Sequence, residues 1–147
     1  MSANEEVPVR STSLCISILL SLVASVATPA LAADLVFVSA RVTYPAANPG
    51  GADEGTCFIS NNTTGDVRVR LDARVVFSDG KVQRLTGIQD PGILGTGGAY
   101  ELNVFFVVPA NASLGAARFV CDVTAQALVT RNLRETESQA ATFEVVP

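Results

Sequence analysis

The sequence predicts an all-β domain, an antiparallel sandwich of about seven strands, and three observations carry that prediction. Apolar and polar residues alternate with a period of two in several stretches, the mark of a strand with one buried face. Turn residues punctuate those stretches at short intervals. No stretch sustains a helical stripe: residues 125–139 come nearest, and their apolar positions do not recur at helical spacing.

Each element follows from the pattern in order. Residues 35–44 read as a first strand. The stretch "PAANPGGADEG" reads as a loop rich in Pro, Gly and Asn, and residues 56–60 as a second strand carrying Cys57. Val67, Val69, Leu71, Ala73, Val75 and Phe77 then share one parity, opposite Arg68, Arg70, Asp72, Arg74 and Ser78. Asp79-Gly80 signals a two-residue hairpin in which both positions tolerate positive φ, with residues 82–85 as the return strand. Tyr100, Leu102, Val104, Phe106 and Val108 form the next inward row, with Glu101, Asn103, Phe105 and Val107 outward. Pro109 ends that strand because it has no N–H for the ladder. "ANASLG" makes the turn, and Ala117, Phe119, Cys121, Val123 and Ala125 face inward on the strand after it. "ATFEVV" closes the domain with Phe143 and Val145 inward.

The N-terminus predicts export. "LCISILLSLVASVA" is almost wholly apolar or small, and no charge falls between Arg10 and Asp34. It ends with Ala30 and Ala32 in the small-residue positions of a signal-peptidase site, so residues 1–32 read as a signal peptide and 33–147 as the mature domain. Glu5 and Glu6 outnumber Arg10 ahead of the apolar run, against the usual positive start. The uncharged residues 11–33 also have the length of a membrane span; Pro29, the serines and the cleavage pattern favour removal. The expected location is therefore secreted or periplasmic, with no membrane contact after cleavage.

The 115 residues left suit one domain. Without Arg10, Glu5 and Glu6, nine basic side chains stand against twelve acidic ones, a net charge of −3. No concentrated basic face exists to suggest a nucleic-acid partner. Two cysteines remain, Cys57 and Cys121, and in an exported chain an even pair reads as a disulfide. Closing that loop would constrain the unfolded chain by about 4 kcal/mol.

Cysteines on an early and a late strand resemble the inter-sheet bridge of immunoglobulin-like sandwiches. Gly97-Gly98, the alternating strand to Val108-Pro109, then Gly115 and a further strand resemble the penultimate hairpin of bacterial immunoglobulin-like modules, of the cell-adhesion-related and glycosidase-associated types. The resemblance covers residues 55–146. It implies an immunoglobulin-like fold with one inter-sheet disulfide and a binding role at the envelope. The mature chain departs from the antibody pattern: it has no Trp to pack on the bridge, and Phe119 stands where a tyrosine would precede Cys121 by two residues.

Composition excludes several chemistries. The chain has no histidine, so Ser-His-Asp and Cys-His catalysis lack their base. Zinc sites with His ligands, and copper sites of His, Cys and Met, fall with them. Carboxylate pairs can hydrolyse glycosides; Asp53 with Glu54, Asp66, Asp90, Glu101 and Asp122 are the candidates, all expected as solvated surface acids. "GGADEG" lacks the Asp-x-Asp-x-Asp-Gly pattern of a calcium loop. In "GILGTGGAY" the glycines run into a strand rather than a helix, unlike a phosphate cradle. No catalytic residue, cofactor or metal is expected.

Two surface features carry functional expectations. Arg68, Arg70 and Arg74, with Asp72 among them, line one outward strand face and form either a shallow site for an anionic ligand or acidic glycan, or a solvated face that discourages edge pairing. Phe105, Val107 and Val120 occupy outward positions on successive strands, as in a protein-contact patch. The expectation is thus an exported, non-catalytic binding or adhesion module whose partner is a protein or glycan at the envelope. The alternative is a structural subunit that self-associates into a homo-oligomer through edge strands or the Phe105/Val107 face. Asn62 and Asn111 begin Asn-x-Ser/Thr sequons, which matter only where glycosylation machinery exists.

Overall fold

A computed structural model of the chain describes residues 35–130 and 133–147. The expected signal peptide lies outside the described residues. Among them the structure is all β, with nine strands in two packed sheets. Strands β1 (Val36–Val42), β3 (Ala52–Asn61) and β7 (Ala99–Val107) form the smaller sheet, in the order β1-β3-β7. The larger sheet runs β2 (Ala46–Ala47), β9 (Arg134–Val145), β8 (Gly115–Ala127), β4 (Val67–Val76), β5 (Val82–Arg84). Strand β6 (Gln89–Leu94) also pairs with β4, along its first half.

The period-two rows give the core. All six inward residues from Val67 to Phe77, and all five from Ala117 to Ala125, are buried. So are Val104, Phe106, Val108, Phe143 and Val145. Cys57 on β3 and Cys121 on β8 bridge the two sheets with their Cα atoms 5.8 Å apart, each fully buried. This is the immunoglobulin-like sandwich, its disulfide joining the central strand of the smaller sheet to an interior strand of the larger one.

The core holds a cluster of three phenylalanines and no tryptophan. Phe106 stacks on Phe119, ring centroids 6.2 Å apart and nearly parallel, and meets Phe143 at 5.8 Å in a tilted pair. The Phe119 ring occupies the space above Gly55. A Cβ placed on Gly55 would fall 2.2–2.4 Å from the ring carbons, so only glycine lets β3 approach the aromatic cluster.

Four expectations need correction. The "PAANPGGADEG" loop is shorter than expected: β2 occupies Ala46–Ala47, and β3 begins at Ala52, before its first β-branched residue. Sheet pairing with β7 from Ala52 onward overrides the weak strand propensity of Asp, Glu and Gly there. Nine strands replace about seven, because β2 and β6 are too short or too irregular to show a period; β6 carries Pro91 and Gly92, and its register slips against β4. One pair is parallel. The chain leaves β3's side after β1 and crosses to the other sheet, where Ala46 and Ala47 run alongside Glu144 and Val145. The hairpin after β4 also has three loop residues rather than two. Gly80 alone adopts positive φ (81°), Gly80 N–H donates to Phe77 C=O, and Phe77 N–H donates to Lys81 C=O, as in a type I turn closed by a glycine bulge.

Two buried polar side chains hold the irregular segments. Asp53, 2% exposed, accepts from Tyr44 N–H at 3.1 Å and Glu54 N–H at 2.7 Å, pinning the crossover between β1 and β2. Asn61 Nδ2 donates to the carbonyls of Gly65, Leu94 and Gly95, and its Oδ1 accepts from the backbone and hydroxyl of Thr63. It ties the β3–β4 turn to the end of β6.

Candidate functional site

The outward row of β4 places Arg68 and Arg70 on the solvent side of the larger sheet. Register sets their neighbours: Arg68 lies opposite Gln126 and Arg70 opposite Thr124 on β8, and Gln126 lies opposite Arg134 on β9. These five residues line a shallow hollow of about 130 Å³. A second hollow of about 220 Å³ shares Arg70, Thr124 and Arg134, and adds Asp72, Asp122 and Ile88. Three guanidinium groups thus border one concave surface.

A single carboxylate answers two of them. Asp90 Oδ2 lies 3.0 Å from Arg68 Nη2 and 3.4 Å from Arg70 Nε, while its Oδ1 accepts from Gly92 N–H at 3.1 Å. The Arg68 guanidinium beside Asp90 holds its carboxyl below the usual carboxylate range, and the Gly92 N–H and the charge of Arg70 add to that. The smaller hollow is lined by three arginines and by no carboxylate, and guanidinium donors in a planar fork suit carboxylate, sulfate or phosphate oxygens.

The structure revises the expected arginine set. Arg74 lies two rows away and pairs with Asp122, which also accepts from Ser138 Oγ at 2.7 Å. Its place at the hollow is taken by Arg134, which sequence reasoning missed. Arg134 is far from β4 in the chain, and only the β4-β8-β9 register brings it near. The signal available was its outward parity with Thr136 and Ser138 on the last strand.

The expected contact patch also divides. Phe105 is 78% exposed and Val107 55% exposed on the outer face of the smaller sheet. Val120 lies on the larger sheet and is buried, at 5% exposure, flanked in register by Arg74 and Ala140. Alternation gave its face but not its cover: a small outward side chain on an interior strand is hidden by longer neighbours. Phe105 and Val107 keep different company. Phe37 and Phe58 lie on the same outer face, edge to face at 6.4 Å.

The carboxylates expected as surface acids separate into types. Asp53 is buried and structural, and Glu54, the next residue along the strand, points to the opposite face and accepts from Thr43 Oγ1 at 3.5 Å. Asp66 and Glu101 are exposed. Asp72 and Asp122 lie opposite each other in the β4–β8 ladder. Among the described residues no three Asp, Glu or Cys side chains cluster as metal ligands would, and no helix is long and apolar enough to cross a membrane.

No family model matches the chain, and no curated protein matches it. Solved structures share its fold. The CARDB domain of a Pyrococcus furiosus protein, solved in complex with di-metal ions, superposes with a TM-score of 0.54 at 15% identity, over 76% of this chain and 87% of that one. A family 123 glycoside hydrolase from Clostridium perfringens gives 0.52 at 13% identity, over 77% of this chain but 27% of the enzyme. The alkylpurine DNA glycosylase AlkC of Pseudomonas fluorescens, bound to DNA with an abasic site analogue, gives 0.51 at 18%, over 77% and 31%. At these identities the similarity is one of β-sandwich fold.

Proposed function

We propose that the chain is a non-catalytic binding module of the cell envelope or extracellular space, and that it takes an anionic ligand, an acidic glycan foremost, at the hollow between β4, β8 and β9. The observation that carries the reading is the convergence of Arg68, Arg70 and Arg134 on one shallow hollow, the first two answered by Asp90, with Thr124 and Gln126 between them as neutral hydrogen-bonding groups. A shallow polar surface with forked donors fits the carboxylates and hydroxyls of a charged sugar better than an apolar ligand, which needs depth. Export is supported by the apolar run and small-residue cleavage pattern at residues 14–32, and by the Cys57–Cys121 disulfide. The resemblance to bacterial adhesion-related modules supports the envelope setting.

The test uses two probes. Titration with an oligogalacturonate and with a neutral oligosaccharide of equal length, followed by amide NMR, is expected to shift β4, β8 and β9 resonances only for the acidic probe. Changing Arg68, Arg70 and Arg134 to Ser should abolish those shifts without unfolding the domain. Equal response to both probes, or binding that survives the triple change, overturns the anionic reading. Intact mass of the chain recovered outside the cytoplasm should correspond to residues 33–147, two hydrogens light; retention of residues 1–32 would overturn the export reading.

A further inference from the structure

The smaller sheet holds an edge unlike the others. The opposite edge strand, β1, is seven residues long and carries Arg41, and Leu35 N–H just before it donates to Glu135 Oε2 at 2.6 Å. On the larger sheet β2 and β5 are two and three residues long, and β6 carries a proline and a register slip. Short strands, prolines and irregular register are the usual protections of an edge. Strand β7 has none of them. It runs nine residues in unbroken register with β3, contains no proline, lysine or arginine, and carries one charge, Glu101.

The direction of its backbone groups can be read from its ends. Gly98 C=O accepts from Asn61 N–H, and both the N–H and the C=O of Val108 bond to the Gly50-Gly51 segment leading into β3. Even-numbered residues therefore face β3, and the N–H and C=O groups of Ala99, Glu101, Asn103, Phe105 and Val107 face the open side. Val107 C=O confirms the parity: it accepts from Gln83 Nε2 at 3.2 Å, a side chain of the other sheet. The same odd residues carry the outward side chains, among them exposed Phe105 and Val107.

We infer that β7 pairs with β7 of a second copy of this chain, antiparallel and two-fold symmetric about Asn103. Asn103 is the midpoint of the nine-residue strand, so this register pairs the strands over their full length. It also places an open-side residue on the axis, where each copy's N–H meets the other's C=O. Glu101 then faces Phe105 of the copy rather than its own carboxylate, and Ala99 faces Val107. Like charges directly opposite would destabilise such a ladder; this register separates the only two. The Asn103 amide is oriented already, its Oδ1 accepting from Thr56 Oγ1 at 2.8 Å and its Nδ2 donating to Glu101 Oε1 at 3.1 Å, which leaves one donor and one acceptor for the copy. The product is a continuous six-stranded sheet, β1-β3-β7 against β7-β3-β1. This edge belongs to the smaller sheet, whereas the arginine hollow lies on the outer face of the larger one, and the pairing does not depend on the hollow.

Sedimentation velocity of the oxidised chain across a concentration series tests the pairing, and a dimer is the expected result. Asn103→Pro removes an N–H that takes no part in the β3 ladder, and should leave a folded monomer by circular dichroism. Asn103→Lys sets two ammonium groups face to face on the axis and should do the same should the proline disturb the strand. The register is read by cross-linking. Opposed Cα atoms in a hydrogen-bonded antiparallel pair lie ~5.5 Å apart, within disulfide range, so Asn103→Cys should form a covalent dimer in air and Glu101→Cys should not. A chain monomeric at every concentration overturns the inference. So does a dimer untouched by both Asn103 variants, or one that cross-links through position 101 rather than 103.

Discussion

The two sheets present nearly identical inner faces and opposite outer ones. Inside, both are rows of Val, Ile, Leu and Phe meeting at the disulfide and the Phe106–Phe119–Phe143 cluster. Outside, the larger sheet is written in charge: Arg68 and Arg70 answer Asp90, and Arg74 answers Asp122. The smaller sheet's outer face mixes Arg41, Glu54 and Glu101 with apolar side chains, Phe37, Phe58, Phe105 and Val107, and ends at the β7 edge strand. Folding constrains only the inner rows. Each outer face is free to specialise, and the anion binding proposed for one sheet and the strand pairing inferred for the other draw on that freedom.

The largest perturbation separates the sheets. Changing Cys57 and Cys121 together to Ala should cost about 2–5 kcal/mol in chemical denaturation. The loss should be uneven. The smaller sheet has three strands against six, and the bridge anchors its central strand to the larger sheet, so hydrogen exchange should quicken in β1, β3 and β7 before β4 and β8. Uniform loss of protection would mean that the two sheets unfold as one unit.

Next in size is Gly55→Ala. The added methyl meets the Phe119 ring at an impossible distance, and overpacking of this kind costs on the order of 1–3 kcal/mol. Phe119→Leu should be destabilising alone, yet the double variant should lose less than the two singles summed, because the smaller side chain vacates the space the methyl needs. Strict additivity in the denaturation midpoints would show that the contact is not what makes glycine necessary.

Legibility in the sequence followed physical lines. Long strands with one wet face announce themselves by alternation: β4, β7 and β8 are legible almost residue by residue, and the disulfide follows from an even pair of cysteines in a chain read as exported, with Cys121 on an inward row. What escaped was non-local. Gly55 looked like loop because its value lies in Phe119, 64 residues on. Strands β2 and β6 were invisible because two residues, or six interrupted by Pro91-Gly92, hold no period. The hollow was half legible: Arg68 and Arg70 stand together on one strand, but whether Arg74 or Arg134 completes the group is decided by cross-strand register, which alternation cannot supply. Val120 failed for the same reason.

A third change, Asn61→Ala, lies between the sheets. It strips a hydrogen bond from each of the carbonyls of Gly65, Leu94 and Gly95; Gly65 C=O keeps the Thr63 hydroxyl and Gly95 C=O keeps Gly98 N–H, so the expected cost is about 1 kcal/mol, the net worth of a typical hydrogen bond. Its sharper readout is location. The β3–β4 turn and the end of β6 should become protease-sensitive, while the crossover held by Asp53 should not.

The smallest effect discriminates most finely between the two outer faces. Asp90 has a folded-state pKa held below its ordinary value by Arg68. Whatever stability it adds is therefore present above the unfolded carboxylate pKa and is lost as pH falls through the folded one. The group is solvent-exposed, so that contribution is small and screened by salt. Its influence on binding should be larger, because Asp90 competes with any anionic ligand for the same two guanidinium groups. Asp90→Asn should leave the thermal midpoint nearly unchanged and tighten binding of an oligogalacturonate, most visibly at low ionic strength. If it weakens binding instead, Asp90 orients Arg68 and Arg70 for the ligand rather than competing with it. Dimerisation through β7 should respond to neither the substitution nor the salt, since its only charges, the two Glu101 carboxylates, are kept apart by the register. A salt-sensitive dimer would place the arginine-rich face, not β7, at the interface between copies.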